Sequence, residues 1–357
     1  MSEPWPDTSW WPKAPHETVT FAHDEPTGLR AIFALHSTAL GPALGGTRWY
    51  PYGSTDEALY DVLRLAEAMS YKAAAARLPL GGGKAVIIGN PETQRSPEVL
   101  DAYARMVDGL GGRYITAEDV GTTVEDMEAI RRVTPHVAGL PLEAGGSGDP
   151  SPLTALGVLA AIKSAAGHRW QSSSLAGRRV VVIGVGKVGS ALVGHLVEEG
   201  CEVVIAEVDE QRRRRVAEQY CVEVVSTDDA LASPCDVLSP AALGGALNKA
   251  TIPQLQCELV VGAANNQLRV AEDSSRLRER GIVYVPDFLA NAGGLINIAE
   301  ELRGYDAAQA AKAVESIGDA VGHVLRFADE HDVDTHRAAV RLAQQRIDGG
   351  RGGLAPV

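Results

Sequence analysis

The chain has 357 residues, 45% of them hydrophobic and 22% charged, which suits two globular domains that each bury a core. Its formal net charge of −13 argues against nucleic acid or an anionic membrane as partner, no secretory signal is evident, and no apolar run is long enough to cross a bilayer. The four cysteines (Cys201, Cys221, Cys235, Cys257) lie far apart and the nine histidines show no ligand spacing, so no metal site is expected and a reducing cytoplasm is.

Residues 1–15, rich in Pro and Trp, read as a loosely ordered arm. Residues 17–22 and 29–35 alternate as strands joined by a hairpin at Pro26-Thr-Gly28. In ALGPALGGTRWYPY, Gly45-Gly46 bares the backbone. Residues 54–57 (STDE) form a capping box that opens a helix carrying Leu59, Val62, Ala66 and Met69 at helical spacing. Lys72 falls beside that stripe, where a lysine snorkels, finds an anion or loses its proton. Pro79 ends the helix, and Gly81-Gly82-Gly83 lets the backbone approach a ligand before Lys84 starts the strand AVII. Read alone, this stretch is equally a glycine turn between two solvated lysines.

Ser96-Pro97 opens a helix that stops at Gly111-Gly112, and 113–117 (RYITA) is a short strand leading to Glu118-Asp119. A carboxylate there, before a helix starting near Thr123, serves as a catalytic acid or as a helix cap, and the cap is the commoner role. Residues 142–152 (LEAGGSGDPSP) read as an interdomain hinge, after which Ser151-Pro152 starts a helix to about 166, with Thr154 in its first turn facing the junction between domains.

The strongest local motif follows. Residues 179–183 (RVVVI) run into Gly184-Val185-Gly186-Lys187-Val188-Gly189, a helix to about 199, and a second strand, 202–206, that ends at Glu207. Strand, GxGxxG, helix, strand and acidic residue form the dinucleotide fingerprint of a Rossmann-type domain. Gly184 makes the tight turn, Gly186 admits the pyrophosphate, Gly189 allows close helix–strand contact, and Glu207 accepts from the adenosine ribose while repelling a 2′-phosphate, which favours NAD. Asp209 is a rival for that ribose role. The run Arg212–Arg215 reads as a solvated helix face rather than a phosphate site. Further strands at 223–225, 237–238, 260–262 and 283–285 alternate with helices. Their turns at 240–245, with Ala241, and 262–267, with Ala263, Asn265 and Asn266, lie where strand ends face a cofactor. The adjacent, buried-looking amides Asn265 and Asn266 are either turn residues or ligand contacts. Asn291-Ala-Gly-Gly294 leads into a helix at 295–302, and helices at about 306–330 and 334–347 are expected to return to the first domain.

The segments LGPALGGTR (40–48), MSYK (69–72), LGGGKAVI (80–87), RYITAEDVGTT (113–123), GVGKVG (184–189), GAANNQL (262–268) and NAGG (291–294) together resemble the branched-chain members of the glutamate/leucine/phenylalanine/valine dehydrogenase family, from about residue 16 to 346. The resemblance implies an α/β enzyme of two domains with a cleft between them. An N-terminal substrate domain would span 1–145, completed by a C-terminal helix at about 331–357, and a dinucleotide-binding domain would span 146–330. It implies NAD-dependent oxidative deamination of L-amino acids to 2-oxo acids and ammonia, and the reverse. Its partners are then small molecules, and a homo-oligomer is expected.

By the same resemblance, Lys72 holds the substrate carboxylate, Lys84 is the base that activates water, and Asp119 exchanges protons with the substrate amine. Thr154 and Asn266 contact nicotinamide or substrate, with Asn291 on the cofactor side. Leu44, Gly45, Gly46, Met69, Ala117, Leu295 and Ile298 surround the substrate. Such a base needs a lysine titrating near neutrality, lowered by burial and a neighbouring positive charge, for which Lys72 is suited. Leu44 stands where glutamate dehydrogenases carry a lysine, so glutamate is disfavoured. Glu207 stands where the branched-chain enzymes usually have aspartate, and Ala241 replaces a common cysteine. Leu295 and Ile298 stand where relatives often have valine, which implies a shallower pocket suited to valine, isoleucine and leucine.

Overall fold

The computed structural model describes residues 16–242 and 244–352, with side chains to residue 350. The expected N-terminal arm lies outside them, as do Leu243 of the 240–245 turn and residues 353–357. The chain divides into two compact units: Met1–Ala74 with Leu78–Gly148 and Gln344–Val357, and Ala75–Arg77 with Asp149–Ala343.

The first unit contains β1 (Thr18–Asp24), β2 (Leu29–Ser37), β3 (Ala43–Tyr50), α1 (Thr55–Ala75), β4 (Gly81–Ile88), α2 (Pro91–Gln94), α3 (Pro97–Asp108), β5 (Tyr114–Glu118) and α4 (Val124–Arg131). The strands form one five-stranded sheet in the order β1-β2-β4-β3-β5. β4 runs antiparallel to β2 and parallel to β3, and β3 runs parallel to β5. Strand alternation separates two cores. Ile32, Ala34, Val86 and Ile88 pack under Ala58, Leu59, Val62, Leu63 and Ala66 of α1. Phe33, Ala85, Ile87, Trp49 and Tyr114 face Val99, Tyr103 and Val107 of α3 and Met127 and Ile130 of α4.

The local signals are realised with shifts. Ser54 Oγ accepts the Glu57 N–H at 3.1 Å, but the reciprocal bond of the capping box goes from the Gly53 N–H to Glu57, at 2.9 Å. α1 stops at Ala75, ahead of Pro79, because Arg77 turns left-handed at φ 58°. The larger departure concerns the three glycines, which are strand rather than turn: β4 begins at Gly81 and every one of its residues is buried. The reason is a close approach of helix to sheet, since a Cβ on Gly82 would collide with the backbone of Ser70 in α1.

The second unit carries α5 (Ser151–Trp170), β6 (Arg179–Ile183), α6 (Lys187–Glu198), β7 (Glu202–Ala206), α7 (Glu210–Tyr220), β8 (Glu223–Val224), β9 (Val237–Pro240), β10 (Leu259–Val260), α8 (Glu272–Glu279), β11 (Val283–Tyr284), α9 (Asp287–Ala290), α10 (Gly293–Glu301), α11 (Ala307–Glu315) and α12 (Ile317–Glu330). Its sheet has six strands in the order β11-β10-β9-β6-β7-β8, every pairing parallel. That is the doubly wound order of a Rossmann-type domain, and its direction reverses between β6 and β9, where such sheets bind ligands.

The single helix expected at 306–330 is two, divided at Ser316, whose hydroxyl bonds back to the Ala313 carbonyl at 2.6 Å. Nor do these helices return to the first unit. α12 buries Ile317, Ala320, Val321, Val324 and Leu325 and packs on α5, which keeps it in the second unit. The change of unit comes instead within α13 (Thr335–Gly352), at Gln344, whose Oε1 accepts from the Tyr71 hydroxyl at 3.2 Å. No helix among the described residues is long and apolar enough to cross a membrane.

The Gly82–Ser70 contact yields a prediction. Gly82→Ala should lower the unfolding free energy by about 1–3 kcal/mol or more in chemical denaturation. Ser70→Gly should not rescue it, because the collision is with the Ser70 backbone nitrogen and Cα. A denaturation midpoint unchanged in Gly82→Ala would contradict the packing.

Candidate functional site

In the first unit the candidate residues gather on the α1 side of the sheet. Leu44 pairs with Gly82 and Ile115, and Gly46 with Ala117, so Leu44, Gly46, Arg48, Ala117 and Lys84 point to one face. Lys84 is only 6% exposed. Its Nζ meets Asp119 Oδ2 at 2.8 Å. Asp119 is brought there by the turn after β5: its N–H donates to Thr122 Oγ1 at 2.9 Å, and that hydroxyl donates to the Thr47 carbonyl at 2.9 Å. The cap of α4 is Thr123, in a complete capping box with Asp126, so the Asp119 carboxylate is a partner of Lys84 rather than the cap that an isolated acid most often is.

Gly46 keeps this face open, and Gly45, on the opposite face, allows the close approach of β3 to β4. A Cβ on Gly46 would stand 2.9 Å from the Asp119 Cβ, and one on Gly45 would strike the Gly83 carbonyl across the strands. Leu44 and Ala117 are buried, Met69 is half-buried, and Lys72 lies half-buried in the last turn of α1.

The electrostatics of the pair follow from burial. Burial pushes the Lys84 ammonium below the ordinary lysine value; Asp119 opposes that shift without cancelling it, and Arg48 adds to it. Burial works against the Asp119 charge too, but Lys84 and Arg48 hold its carboxyl below the usual range. A cation that meets the pair directly is Arg48, at 3.1 Å from Asp119 Oδ2 through Nε. Arg48 also binds Asp61 Oδ2 at 2.8 Å, and Asp61 accepts from the Tyr52 hydroxyl at 2.7 Å and from Arg64 at 3.2 Å. The sequence reading missed Arg48 and Asp61. The signal was present in the alternation 44, 46, 48 on β3, which aligns Arg48 with the face of Lys84.

In the second unit the fingerprint lies across the reversal of the sheet. Gly184 adopts φ +96° against Ala242, and a Cβ on Gly189 would run into the Gly184 carbonyl, whereas one on Gly186 would meet nothing within 4 Å. α6 starts at Lys187 with no side-chain cap, leaving N–H groups of its first turn to an anion. A depression of about 430 Å³ there is bordered by Gly186, Lys187, Ser190, Arg212 and Arg215. Lys187 is well exposed and pairs with Asp149 at 3.2 Å. Val185 is buried; Val188 and Ala241 are half-buried.

Glu207 is 6% exposed and is shared with the protein itself. Its Oε2 accepts the Val185 N–H at 2.9 Å and its Oε1 the Asp209 N–H at 3.0 Å. Burial raises its pKa, yet these bonds and Arg212 prevail and hold it below the usual carboxylate value. Asp209, the rival for the ribose, caps α7 by accepting the Arg212 N–H at 2.8 Å. The arginine run is not a solvated face throughout. Arg212 pairs with Glu207 at 3.4 Å and Arg213 donates to the Glu207 carbonyl at 3.3 Å, because both lie in the first turn of α7 directly after that residue.

The amides also need correction. Asn265 and Asn266 are exposed, at the tip of the turn after β10 where Asn266 turns left-handed at φ 53°, and the buried amide is the next residue, Gln267. Asn291 is buried and ties the strand-end turns together, donating from Nδ2 to the Ala263 carbonyl at 3.0 Å and to Asn265 Oδ1 at 2.8 Å. Thr154 donates back to the Pro150 carbonyl at 2.9 Å, and its hydroxyl would stand 2.9 Å from a Cβ on Gly294. Leu295 is buried and Ile298 half-buried on α10. Among the described residues, no cluster of His, Cys, Asp or Glu is arranged to hold a metal.

The chain is similar to known proteins over most of its length. Residues 15–136 match the Glu/Leu/Phe/Val dehydrogenase dimerisation domain, and residues 205–349 match the Glutamate/Leucine/Phenylalanine/Valine dehydrogenase domain. The chain is 46% identical over 341 residues to the leucine dehydrogenase of Geobacillus stearothermophilus, covering 96% of this chain and 93% of that one. The chain belongs to the Glu/Leu/Phe/Val dehydrogenase family. As a member of that family it is an amino-acid dehydrogenase. It is also 48% identical over 335 residues to the valine dehydrogenase of Streptomyces coelicolor, covering 93% and 92% of the two chains. Among solved structures it is similar to the L-tryptophan dehydrogenase of Nostoc punctiforme, with a TM-score of 0.86, 42% identity, and coverage of 94% and 97%. Residues 166–238, around the fingerprint, also match shikimate/quinate 5-dehydrogenase.

The two bonds from Asn291 set a testable expectation for this family member. Asn291→Ala should cost about 1 kcal/mol of stability in chemical denaturation, since it strips the donor from a part-buried carbonyl–amide junction. A variant as stable as the parent chain would contradict that tie.

Proposed function

We propose that this dehydrogenase oxidatively deaminates branched-chain L-amino acids, valine, leucine and isoleucine, to 2-oxo acids and ammonia with NAD, and catalyses the reverse reductive amination. The observation that carries the reading is the buried Lys84–Asp119 pair at 2.8 Å, on the sheet face it shares with Leu44 and Ala117. Kinship with leucine and valine dehydrogenases supports the substrate class.

The residues present fit a dinucleotide: the Gly184 turn, the open backbone at Gly186, the uncapped start of α6 and the carboxylate of Glu207. Bound NAD would accept hydride from the α-carbon of the amino acid. In this reading the phosphates lie at residues 184–189, Glu207 accepts from the adenosine ribose, and Thr154, Ala241, Ala263, Asn265 and Asn291 border the cofactor. The negative charge of Glu207 supports NAD over NADP, since a 2′-phosphate would be repelled.

Lys72 holds the substrate carboxylate. Lys84, deprotonated, takes a proton from the water that attacks the α-carbon iminium, and Asp119, ionised at the start, takes a proton from the substrate ammonium and returns it to the departing amine. A buried lysine below its ordinary pKa is suited to that task because it is neutral over more of the working pH range. Leu44, Met69 and Ala117 are the apolar residues of the first unit assigned to the substrate side chain. None can pair with a charge, so acidic and basic side chains are disfavoured. The match to a dimerisation domain supports a homo-oligomer, and four free cysteines suit a reducing cytoplasm.

A second reading, tryptophan or another aromatic amino acid as substrate, is favoured by the likeness to the Nostoc punctiforme enzyme. A panel of L-amino acids, with NAD and with NADP, separates the two. Valine, isoleucine or leucine should give the highest kcat/KM, and NAD should exceed NADP. Highest turnover with tryptophan or phenylalanine would establish the second reading, and comparable kcat/KM for both cofactors would count against the role of Glu207.

The base assignment is tested separately. kcat/KM for deamination should rise with pH along a limb lying below the ordinary lysine range, because only neutral Lys84 accepts the proton. Lys84→Ala should abolish that limb and lower kcat by about 10²-fold or more while leaving NAD affinity nearly intact. Parental kcat in Lys84→Ala at pH 8–10 would refute the role.

A further inference from the structure

The Lys84–Asp119 pair is not isolated. Both Lys84 Nζ and Arg48 Nε take the same carboxylate oxygen, Asp119 Oδ2, at 2.8 and 3.1 Å. The guanidinium is itself clamped from its other edge, Nη1 binding Asp61 Oδ2 at 2.8 Å, and Asp61 is fixed by Tyr52 and Arg64. Arg48 and Asp61 are 23% and 16% exposed, so solvent screens these contacts only in part.

We propose that Arg48 is a positioning residue for the Lys84–Asp119 pair and that Asp61 sets how much of its positive charge reaches them. This rests on the reading of Lys84 as the base. A lysine and a carboxylate alone share one proton: when Lys84 gives up its charge, a lone Asp119 loses its partner and is free to rotate or to protonate. Arg48, charged at every working pH, stays on Oδ2 and keeps Asp119 in place through that change. Its planar fork suits the role, reaching Asp119 with Nε and Asp61 with Nη1 at once, which the single ammonium of a lysine does not match.

The charged groups that act on Lys84 are Asp119 after β5, Arg48 on β3 and Asp61 on α1; Tyr52 and Arg64 bind Asp61, Lys72 lies in the last turn of α1, the ring of His36 on β2 meets Ser70 Oγ at 2.9 Å, and Glu118, in register with Thr47, belongs to the opposite face of the sheet. Of these, Arg48 pushes the Lys84 pKa down and Asp61 pushes it up. The two ends of the clamp therefore act on the base with opposite sign.

The experiment compares pH profiles of kcat/KM for oxidative deamination by the full-length enzyme carrying Arg48→Met, Arg48→Lys or Asp61→Asn, with circular dichroism to verify folding. Arg48→Met should move the acidic limb upward by about one pH unit and lower kcat at least about tenfold. Arg48→Lys should restore part of the limb position but not the full kcat. Asp61→Asn should move the limb downward. Limbs that stay at the parental position, or that move in the same direction in Arg48→Met and Asp61→Asn, would overturn the proposal. If Arg48→Met does not fold, the downward shift in Asp61→Asn decides alone: its absence overturns the proposal and its presence upholds it. The base reading fails differently, by parental kcat in Lys84→Ala, whatever the Arg48 variants show.

Discussion

A lysine on a strand whose every residue is buried is the constraint from which the charged face of the first unit follows. Without an opposite charge, burial on that scale would force Lys84 to be neutral or the strand to move. The partner cannot come from β4 itself, so the chain supplies it from the turn after β5, two strands away in the sheet. That turn has to be rigid, hence the Thr122 hydroxyl that links Asp119 to the Thr47 carbonyl. The neighbouring strand has to stay out of the way, hence a glycine at 46. Arg48, Asp61 and Tyr52 extend the same solution outward, each new charge being met by the next one.

The second unit solves a parallel problem with the opposite sign. Glu207 is a buried carboxylate at the end of β7, and the chain answers it with two backbone N–H groups besides the Arg212 guanidinium at 3.4 Å. The Val185 N–H joins it to the glycine turn and the Asp209 N–H to the start of α7. One acidic residue thereby locks two loops on the rim where the sheet reverses, so its replacement would disturb the shape of the turn as well as its charge.

What the sequence displayed and what it concealed divide along physical lines. Elements with a strong local code were legible: the 179–207 strand–turn–helix–strand unit, the Ser96 cap, the start of α4 near Thr123, the amphipathic stripe of α1. So was the meeting of Lys84 with Asp119, through the resemblance. Three kinds of feature were not legible. Gly81–Gly83 carry every local mark of a turn, and only the nearness of Ser70, a tertiary fact, makes them strand. Asn265 and Asn266 look buried beside an apolar run, but the left-handed residue at 266 swings them outward and puts Gln267 inside. Arg48 stood next to a noted glycine pair and passed unremarked because its importance comes from Asp61 and Asp119, 13 and 71 residues away in the chain.

The break at Gln344 bears on how the enzyme is made. The first unit is discontinuous, with its last piece lying at the very end of the chain. A ribosome finishes Gly148 and then synthesises the whole of 149–343 before that piece exists, which at about 5–20 residues per second takes roughly 10–40 s. During that interval Tyr71 lacks Gln344, and the backbone at Ala39, against which Gly350 packs, stays uncovered. The nascent first unit thus passes through a prolonged incomplete state, and its final closure is deferred until the second unit has been fully translated.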